Sequence, residues 1–389
     1  MNSVVQPLQD LVLIGGGHSH ALALRHFARR PLAGTRITLV SREAHTPYSG
    51  MLPGHVAGHY RYDDIHIDLA PLAVAAGARL IVDAAAHIDV QEQRVDLEGH
   101  TSLRFDVLSL NCGAAPGLPK QSTPTAIPVK PIGGFLPRWR ELLDALQQRS
   151  VDDRNVRVVI VGGGAGGVEL ALAVHHALVL VAPSARMVLV TASAQLLDGH
   201  AAGVQRRFAA LLKARGIEVL TQVVVVDVDA RGVTGRGGHR VPGELVLWVT
   251  GVAAPPWLAN SGLALDAHGF VTVDRTLRST SHANVFAAGD VASMVGQSRP
   301  KAGVFAVRQA PVLADNLRRA LLRLPLREYR AQRKVLALIS EGGRTATASR
   351  GMLFAHGAWV WRWKDRIDRR FMARCKELQP PRSDGGAHI

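Results

Sequence analysis

The 389-residue sequence predicts an α/β fold in which one strand–turn–helix unit occurs twice. Each copy joins a short apolar run, typical of a strand buried on both faces of a parallel sheet, to a glycine turn and an apolar helix. The order of elements that begins at Gly77 is also repeated from Gly216: strand, hairpin, buried strand, Gly, Ala-Pro. The sequence therefore predicts two Rossmann-like dinucleotide-binding domains with a crevice between them, followed by a C-terminal amphipathic region.

The first unit reads LVLIGGGHSHALALRHF, and the run RITLV supplies its second strand. Residues 15–17 are all glycine, so the backbone can turn tightly and approach a pyrophosphate at the N-terminus of the helix. His20 replaces the third glycine of the fingerprint, and Ser41 stands where an acid usually binds a ribose, with Glu43 two residues later. A glycine turn without a ligand is the alternative for this stretch taken alone.

Two histidines, His18 and His20, follow this turn. A His-x-His pair without another ligand nearby is a weak metal signal. We interpret both as loop histidines that hydrogen-bond near a phosphate, and we expect no metal.

The second unit begins at Val156 and reads VRVVIVGGGAGGVELALAVHHAL. It keeps the complete G-x-G-x-x-G spacing at Gly162, Gly164 and Gly167, so it is a stronger signal than the first copy. The next strand ends at Thr191 without an acid. The sequence therefore does not decide between NAD and NADP.

Composition indicates a globular protein, with 47% apolar and 20% charged residues. No run reaches the about 18 to 20 apolar residues of a membrane span, and no secretory signal pattern opens the sequence, so we expect a cytoplasmic protein. The net charge of +15 suits an anionic partner such as phosphorylated cofactors or a membrane surface. No nucleic-acid-binding motif is present, and we expect no nucleic-acid partner.

Between the repeated elements, residues 41–69 are polar and rich in Gly, Pro, His and aromatic residues, as functional loops often are. We expect a helix over 69–76, a strand over 107–110 and a Pro-rich linker over 116–131.

Near the end of the repeated region, residues 285–288 read as a strand. The Gly289-Asp290 turn then projects a carboxylate that suits polyol hydroxyls. A helix is expected over 303–322. Lys301 precedes it, so that a cation and a helix dipole face the same ligand.

The tail combines three tryptophans with many cations. An apolar stripe recurs every four residues at Trp363, Ile367, Phe371 and Cys375. This pattern suits an interfacial helix on anionic lipid, and it suits equally a terminal helix packed on its own domain with a solvated basic face.

Several motifs together resemble one family: GGG after the first strand, GGGAGGVE in the second unit, Gly113 and Gly251 at matching strand ends, and FAAGD before a helix. Over residues 9–325 the sequence resembles the two-dinucleotide-domain flavoproteins of the pyridine nucleotide-disulfide oxidoreductase superfamily, especially type II NADH dehydrogenases and sulfide:quinone oxidoreductases. The strings GGGHSH, TPYSGMLPG, RPKAGVFAVRQ and WRWKDRIDRRFM resemble the flavoprotein module that some bacteria fuse to selenophosphate synthetase.

The resemblance implies FAD in the first domain, with its isoalloxazine near Thr46 and Pro47 and its ribityl chain on Asp290. It implies a nicotinamide nucleotide at the second glycine turn. The cofactor-binding residues implied in this way are Gly15, Gly16, Gly17, His18, His20, Ser41, Arg42, Thr46, Pro47, Gly113, Gly162, Gly164, Gly167, Gly251, Gly289 and Asp290.

Three further residues match catalytic positions of the family. Glu169 matches the Glu of GVELA near the nicotinamide, although an acid at a helix N-terminus is also favoured by the dipole alone. Lys301 matches a lysine beside the flavin pyrimidine edge, where a cation would stabilise anionic reduced flavin, and its alternative is an ordinary loop lysine. Gln309 matches the second Gln of A-x-Q-Q and would line the acceptor site.

The cysteines depart from the disulfide reductases and the sulfide oxidases of this family. Only Cys112 and Cys375 occur, far apart in sequence, so a dithiol relay and a polysulfide carrier are both disfavoured. Hydride transfer from nicotinamide to flavin requires no cysteine.

We therefore expect an NAD(P)H dehydrogenase that passes electrons through FAD to a quinone-like acceptor. The alternatives are a flavoprotein acting on a selenium or sulfur compound and an FAD-binding partner without turnover. Residues 1–115 and 268–325 would bind FAD, 116–267 would bind NAD(P)H, and 326–389 would form an interface region that either packs on the protein or lies on the inner face of the cytoplasmic membrane. A homodimer is also expected.

Overall fold

Two five-stranded parallel sheets form the centre of the molecule. The computed structural model describes residues 8–119, 126–150, 154–297, 301–332 and 335–377. The first sheet has the spatial order Val285–Ala287, Val107–Leu110, Gln9–Ile14, Thr35–Ser41 and Ala78–Val82. The second sheet has the order Ala126–Pro128, Leu245–Trp248, Arg157–Val161, Arg186–Val190 and Ile217–Leu220.

The strand sequences explain these sheets. Leu11, Leu13 and Leu108 are fully buried, because helices and hairpins cover both faces of the first sheet. Such strands have no solvent side, so their sequences are continuously apolar. The predicted α/β fold with two dinucleotide-binding units is confirmed.

One segment differs from its prediction. Residues 116–131 were expected to form a linker, but Ala126–Pro128 is the edge strand of the second sheet and pairs in parallel with Leu245–Trp248. Its three residues are too few to show a strand pattern between prolines. Residues 120–125 lie outside the described part of the chain.

Small antiparallel elements flank and join the two sheets. The predicted hairpins form two three-stranded sheets, and Ala115–Pro116 pairs with Val252–Ala253 where the chain crosses between the halves. The antiparallel strands are Ala85–Asp89, Arg94–Leu97 and Leu103–Arg104; Val225–Asp229, Gly232–Gly235 and Arg240–Pro242; and His45–Pro47 with His66–Asp68. A further small pair, Val271–Val273 with Ala292–Met294, is parallel.

The helices cover the sheets. The helix after the first glycine turn packs on Gly303–Leu321, and the hydroxyl of Ser19 donates to the Ala306 carbonyl at 2.8 Å. The α-helices are His18–Arg29, Leu52–Val56, Tyr62–Ile65, Leu69–Ala75, Ile132–Gln148, Ala165–Val181, Ala202–Ala214, Gly303–Leu321 and Ala358–Lys376, with 3-10 turns at Ser49–Met51, Pro256–Asn260 and Gly289–Val291.

A C-terminal sheet precedes the last helix, which we call the C-terminal helix (Ala358–Lys376). The sheet has the strands Ala337–Ser340, Ala346–Arg350 and Leu353–Gly357. It rests on the second half of the molecule through a double hydrogen bond from the Arg207 guanidinium to the Glu341 carboxylate. None of the helices in the described ranges has the length and apolarity that crossing a bilayer requires.

The buried face of the C-terminal helix differs from the predicted stripe. Residues four apart advance by about 40° around a helix, so a stripe of four such residues spirals out of one face. Trp363 and Ile367 are 40% and 43% exposed, whereas Cys375, at the other end of the stripe, is fully buried. The buried residues are Val360, Lys364, Asp368, Met372 and Cys375.

Candidate cofactor-binding site

A cavity of about 350 Å³ lies along the carboxyl ends of the strands of the first sheet. It extends from the end of Thr35–Ser41, across the first glycine turn, to the end of Val285–Ala287. The predicted cofactor-binding residues that line it are Gly15, Gly16, Gly17, His18, Ser41, Arg42, Thr46, Pro47, Gly113, Gly289 and Asp290.

The first glycine turn is closely packed against neighbouring strand ends. Gly15 has a φ of +96°, and its amide donates to the Val40 carbonyl at 2.7 Å. A Cβ atom at Gly16 would lie 2.6 Å from the Ser41 hydroxyl oxygen, and one at Gly17 would overlap the Asn111 side chain. The packing of the fold therefore requires glycine at these positions, in addition to any requirement of a bound ligand.

Asn111, which sequence reasoning missed, organises the helix N-terminus behind this turn. Its Oδ1 accepts from the amides of Ser19 at 3.0 Å and His20 at 3.3 Å, and its Nδ2 donates to the Ala288 carbonyl at 2.6 Å. A bound pyrophosphate would therefore take its hydrogen bonds from amides that precede Ser19.

His20 has a structural role in place of the predicted cofactor contact. It is fully buried and does not line the cavity. Its Nδ1 lies 2.7 Å from the Gly15 carbonyl oxygen, which can only accept, so Nδ1 carries the proton; Nε2, 2.8 Å from the Ser109 hydroxyl, then accepts. In the second unit, the corresponding Gly167 lies so close to the Gly162 carbonyl that no Cβ fits. A histidine hydrogen bond thus replaces close glycine packing in the first unit.

His18 lies in the cavity wall between two aromatic rings. Its ring centroid is 5.3 Å from that of Tyr48 and 5.9 Å from that of Phe371, which belongs to the C-terminal helix. Burial lowers the pKa of His18 to about 4, against the opposing effect of a backbone hydrogen bond with Pro47. Phe371 of the C-terminal helix therefore supports the wall of the cavity, and the neutral imidazole of His18 lies between that helix and the cavity.

Lys130 and Asp290 form an ion pair in the cavity, with 2.9 Å between Nζ and Oδ2. Asp290 follows the outer strand of the first sheet, as predicted, whereas Lys130 follows the edge strand of the second sheet. No motif pointed to Lys130, because the edge strand before it was read as a linker. A residue of one half thus reaches a predicted cofactor residue of the other half.

Lys301 and Gln309 face a second cavity of about 840 Å³; among the described residues it shares Gly289 and Asp290 with the first. The Lys301 ammonium donates to the Ala292 carbonyl at 2.7 Å and lies 3.8 Å from the centre of the Phe270 ring. Burial lowers its pKa. Gln309 Oε1 accepts from the Gly289 amide at 2.7 Å and so holds the turn between the cavities.

Glu169 lies in neither of these cavities. It is the fifth residue of Ala165–Val181, and its Oε1 accepts from the Ser340 amide of the C-terminal sheet at 2.7 Å. Burial raises the pKa of its carboxyl, and the nearby Lys364 ammonium opposes that effect.

The second glycine turn has a different environment from the first. Gly162 has a φ of +136°, and Gly251, with a φ of +67°, accepts from the Gly117 amide at 2.9 Å where the halves cross. Gly164 precedes the helix with ordinary φ, and a Cβ there would meet no atom within 4 Å. The turn therefore leaves open space at the position where a pyrophosphate would approach. Among the described residues, no cluster of three or more His, Cys, Asp and Glu side chains could hold a metal.

Several proteins of known activity are similar to this chain. A demethylphylloquinone reductase of Synechocystis is 29% identical over 273 residues, which cover 66% of this chain and 65% of that protein. A type II NADH:quinone oxidoreductase of Haemophilus influenzae is 26% identical over 219 residues, which cover 53% of this chain and 49% of that protein. The chain thus matches about half to two thirds of the length of these relatives.

The fold is also found among solved structures. The sulfide:quinone oxidoreductase of Aquifex aeolicus aligns with a TM-score of 0.78 at 20% sequence identity, covering 96% of this chain and 93% of that one. The family model described as pyridine nucleotide-disulphide oxidoreductase matches residues 9–310, which include the first glycine turn, the second glycine turn and Asp290. The chain therefore belongs to the pyridine nucleotide-disulphide oxidoreductase family.

Proposed function

We propose that this protein is an FAD-dependent oxidoreductase that passes electrons from NAD(P)H to a quinone-like acceptor. The observation that carries the proposal is the first cavity, which gathers the predicted FAD residues along one sheet edge. The named activities of the relatives, demethylphylloquinone reductase and NADH:quinone oxidoreductase, support the same reaction.

The residues of the first cavity fit a flavin dinucleotide. Ser41 ends the second strand and Arg42 follows it, where this fold binds the adenosine ribose, and the glycine turn offers backbone amides to the pyrophosphate. Asp290 lies at the opposite end and can accept hydrogen bonds from polyol hydroxyls. FAD would supply the hydride and electron transfer chemistry, and the protein supplies binding and orientation.

The cysteines support a mechanism without thiols. Burial raises the pKa of both Cys112 and Cys375 to about 12, so neither carries the thiolate that disulfide exchange requires. Electrons would then leave to an external acceptor.

The nicotinamide nucleotide would bind at the second glycine turn. Open space beside Gly164 and the helix N-terminus after it support this assignment. We keep Glu169 as the residue proposed to lie near the nicotinamide, although its observed hydrogen bond joins it to the C-terminal sheet.

The acceptor would bind in the second cavity. Phe270 and Phe305 offer aromatic contacts, and Lys301 offers a cation, which together suit a flat ring with carbonyl oxygens. Gly289 and Asp290 line both cavities, so electrons would cross a short distance between the two sites.

We further propose that the surface formed by the C-terminal helix and the hairpin before it rests on an anionic bilayer. Trp359, Trp363 and Ile367 follow one side of the C-terminal helix and are 40–52% exposed, and Met352 and Leu353 at the hairpin before it are 82% and 79% exposed. Exposed arginines lie among them and form no ion pair with described residues; these are Arg362, Arg366 and Arg370. An apolar surface ringed by cations fits anionic headgroups.

Liposome sedimentation tests the bilayer proposal. Replacing Trp359 and Trp363 by serine should weaken binding to vesicles containing phosphatidylserine, and added salt should weaken binding of the unmodified chain. Val179→Ser removes an apolar side chain, 51% exposed on another helix, and should leave binding unchanged. Equal sedimentation of the tryptophan variant and the unmodified chain would contradict the proposal.

One alternative has a structural observation in its favour. Three of the strings that resemble the selenium-linked flavoprotein module meet around His18, Tyr48 and Phe371. This convergence would suit a flavoprotein acting on a selenium or sulfur compound. Anaerobic bleaching of the flavin by selenide or sulfide, and not by NADH or NADPH, would favour it.

The direct test of the FAD site is cofactor retention. The protein should purify with bound FAD, and Asp290→Ala should lose most of it, because a hydrogen bond to a charged group contributes about 1.5 to 3 kcal/mol. Flavin content after gel filtration is the measurement. Full flavin occupancy in the Asp290→Ala variant would remove Asp290 from the site.

A further inference from the structure

The sequence assigned the cation beside the flavin to Lys301, but the structure directs that ammonium elsewhere. Lys301 donates to Ala292 and lies over Phe270, and it is among the residues of the second cavity and not of the first. The Lys301 ammonium therefore lies in the second cavity, on the side of the Gly289-Asp290 turn that faces away from the first cavity.

Two residues with permanent positive charge line the first cavity within the described ranges, Arg42 and Lys130. They lie beside different strands of the first sheet, toward opposite ends of the cavity. Arg42 follows Thr35–Ser41, on one side of the first strand, whereas Lys130 pairs with Asp290, which follows Val285–Ala287 at the opposite edge. In a dinucleotide-binding fold the end of the second strand receives the adenosine ribose, so Lys130 lies in the half that remains for the flavin.

We propose that Lys130 is the cation that stabilises reduced flavin in this protein. This inference rests on the proposed function, since it requires FAD in the first cavity. Transfer of two electrons and one proton to the flavin leaves one negative charge on its ring system, and an ammonium nearby lowers the free energy of that state. Asp290 holds the ammonium at 2.9 Å, and the Lys130 side chain is 39% exposed, so it can reorient toward a ligand.

The position of Lys130 also joins the two halves of the protein. It is supplied by the edge strand Ala126–Pro128 of the second sheet, whereas every strand of the first sheet bordering the cavity belongs to the other half. The flavin potential would therefore depend on the placement of the nicotinamide half, which is a property that Lys301, on the first half, would not confer.

Redox titration distinguishes the two lysines. Lys130→Gln should lower the two-electron midpoint potential of bound FAD, measured anaerobically against a reference dye with dithionite as reductant. It should also raise the pH at which the reduced flavin loses its proton, followed by absorbance. Lys130→Arg keeps the charge and should restore both values. Lys301→Gln should shift both values less than Lys130→Gln, and the surface control Lys213→Gln should leave both values unchanged.

Two results would overturn the proposal. One is an unchanged potential in Lys130→Gln, with or without weaker FAD binding, since this would show that Lys130 at most positions Asp290. The other is a potential lowered by Lys301→Gln as much as by Lys130→Gln. Because dithionite replaces the nicotinamide nucleotide, these measurements do not depend on the proposed electron donor or acceptor. A wild-type chain that binds no FAD would contradict the proposed function itself.

Discussion

At the residue scale, the histidine at position 20 of the glycine fingerprint replaces close backbone packing with side-chain hydrogen bonds. His20 replaces a glycine that would allow close packing, and its imidazole bridges the Gly15 carbonyl and the Ser109 hydroxyl instead. Burial lowers its pKa to about 4, so the ring is neutral near pH 7. The sequence showed the departure from the fingerprint, but not that the side chain would point away from the ligand.

This burial predicts a specific pH dependence of stability. Between pH 6.5 and 4 the unfolded chain binds a proton on His20 that the folded chain does not bind, so the free energy of unfolding should fall as the pH is lowered through this window. The contribution of His20 is on the order of 1 to 3 kcal/mol.

Urea unfolding at several pH values measures the contribution of His20 to the free energy of unfolding. His20→Gln keeps a donor and an acceptor but does not titrate, so its stability should fall less steeply with decreasing pH than that of the wild type. Parallel curves for the two proteins would show that His20 does not titrate on unfolding.

At the element scale, the C-terminal helix presents opposite properties on its two sides. Its inner side carries Lys364, whose ammonium lies 2.6 Å from both the Asp368 carboxylate and the Gly50 carbonyl oxygen. The Tyr48 hydroxyl donates to the same carboxylate at 3.2 Å. The helix is thereby attached to the loop that supplies Thr46 and Pro47 to the cavity.

The buried pair gives a prediction for this element. Lys364→Met leaves the Asp368 carboxylate buried without its cation, which should cost about 3 to 5 kcal/mol of folding free energy. The double variant Lys364→Met, Asp368→Leu should recover most of that loss. Chemical denaturation is the measurement.

The matched control lies one turn away. Arg369→Met breaks the more exposed pair with Asp365 and should cost no more than about 1 kcal/mol. Equal losses in Lys364→Met and Arg369→Met would contradict the assignment of the inner side.

The helix itself could be predicted from sequence, but its buried side could not. Amphipathic periodicity places Trp363 and Cys375 on one stripe of the helix. Which part of that stripe is buried depends on the segments that pack against the helix. The buried Lys364 and Asp368 are stabilised by hydrogen bonds to residues 48 and 50, which are distant in sequence. The sequence around the helix gives no indication of these partners.

At the scale of the whole molecule, the repeated unit explains most of what sequence could predict. Both glycine turns follow buried strands, and both sheets are parallel, as the apolar runs and turn spacing indicated. Lys130, which no motif indicated, depends on how the two halves meet, because the strand before it is three residues long and its partner Asp290 is distant in sequence. Contacts between halves are set by the assembled fold and leave no periodic signal.

We propose that nicotinamide nucleotide bound at the second glycine turn reduces a flavin bound at the first. Gly164 offers a clean variant, because it has ordinary φ and open space around its Cα. Gly164→Val should fold and retain FAD, while its side chain blocks approach of the nucleotide pyrophosphate.

Anaerobic titration of the purified yellow protein with NADH and with NADPH, followed by flavin absorbance, tests this reduction. We expect bleaching of the wild type by at least one nucleotide, reoxidation by a soluble quinone, and no bleaching of Gly164→Val at the same nucleotide concentrations. Flavin that stays oxidised in the wild type, or bleaches equally in Gly164→Val, would contradict it.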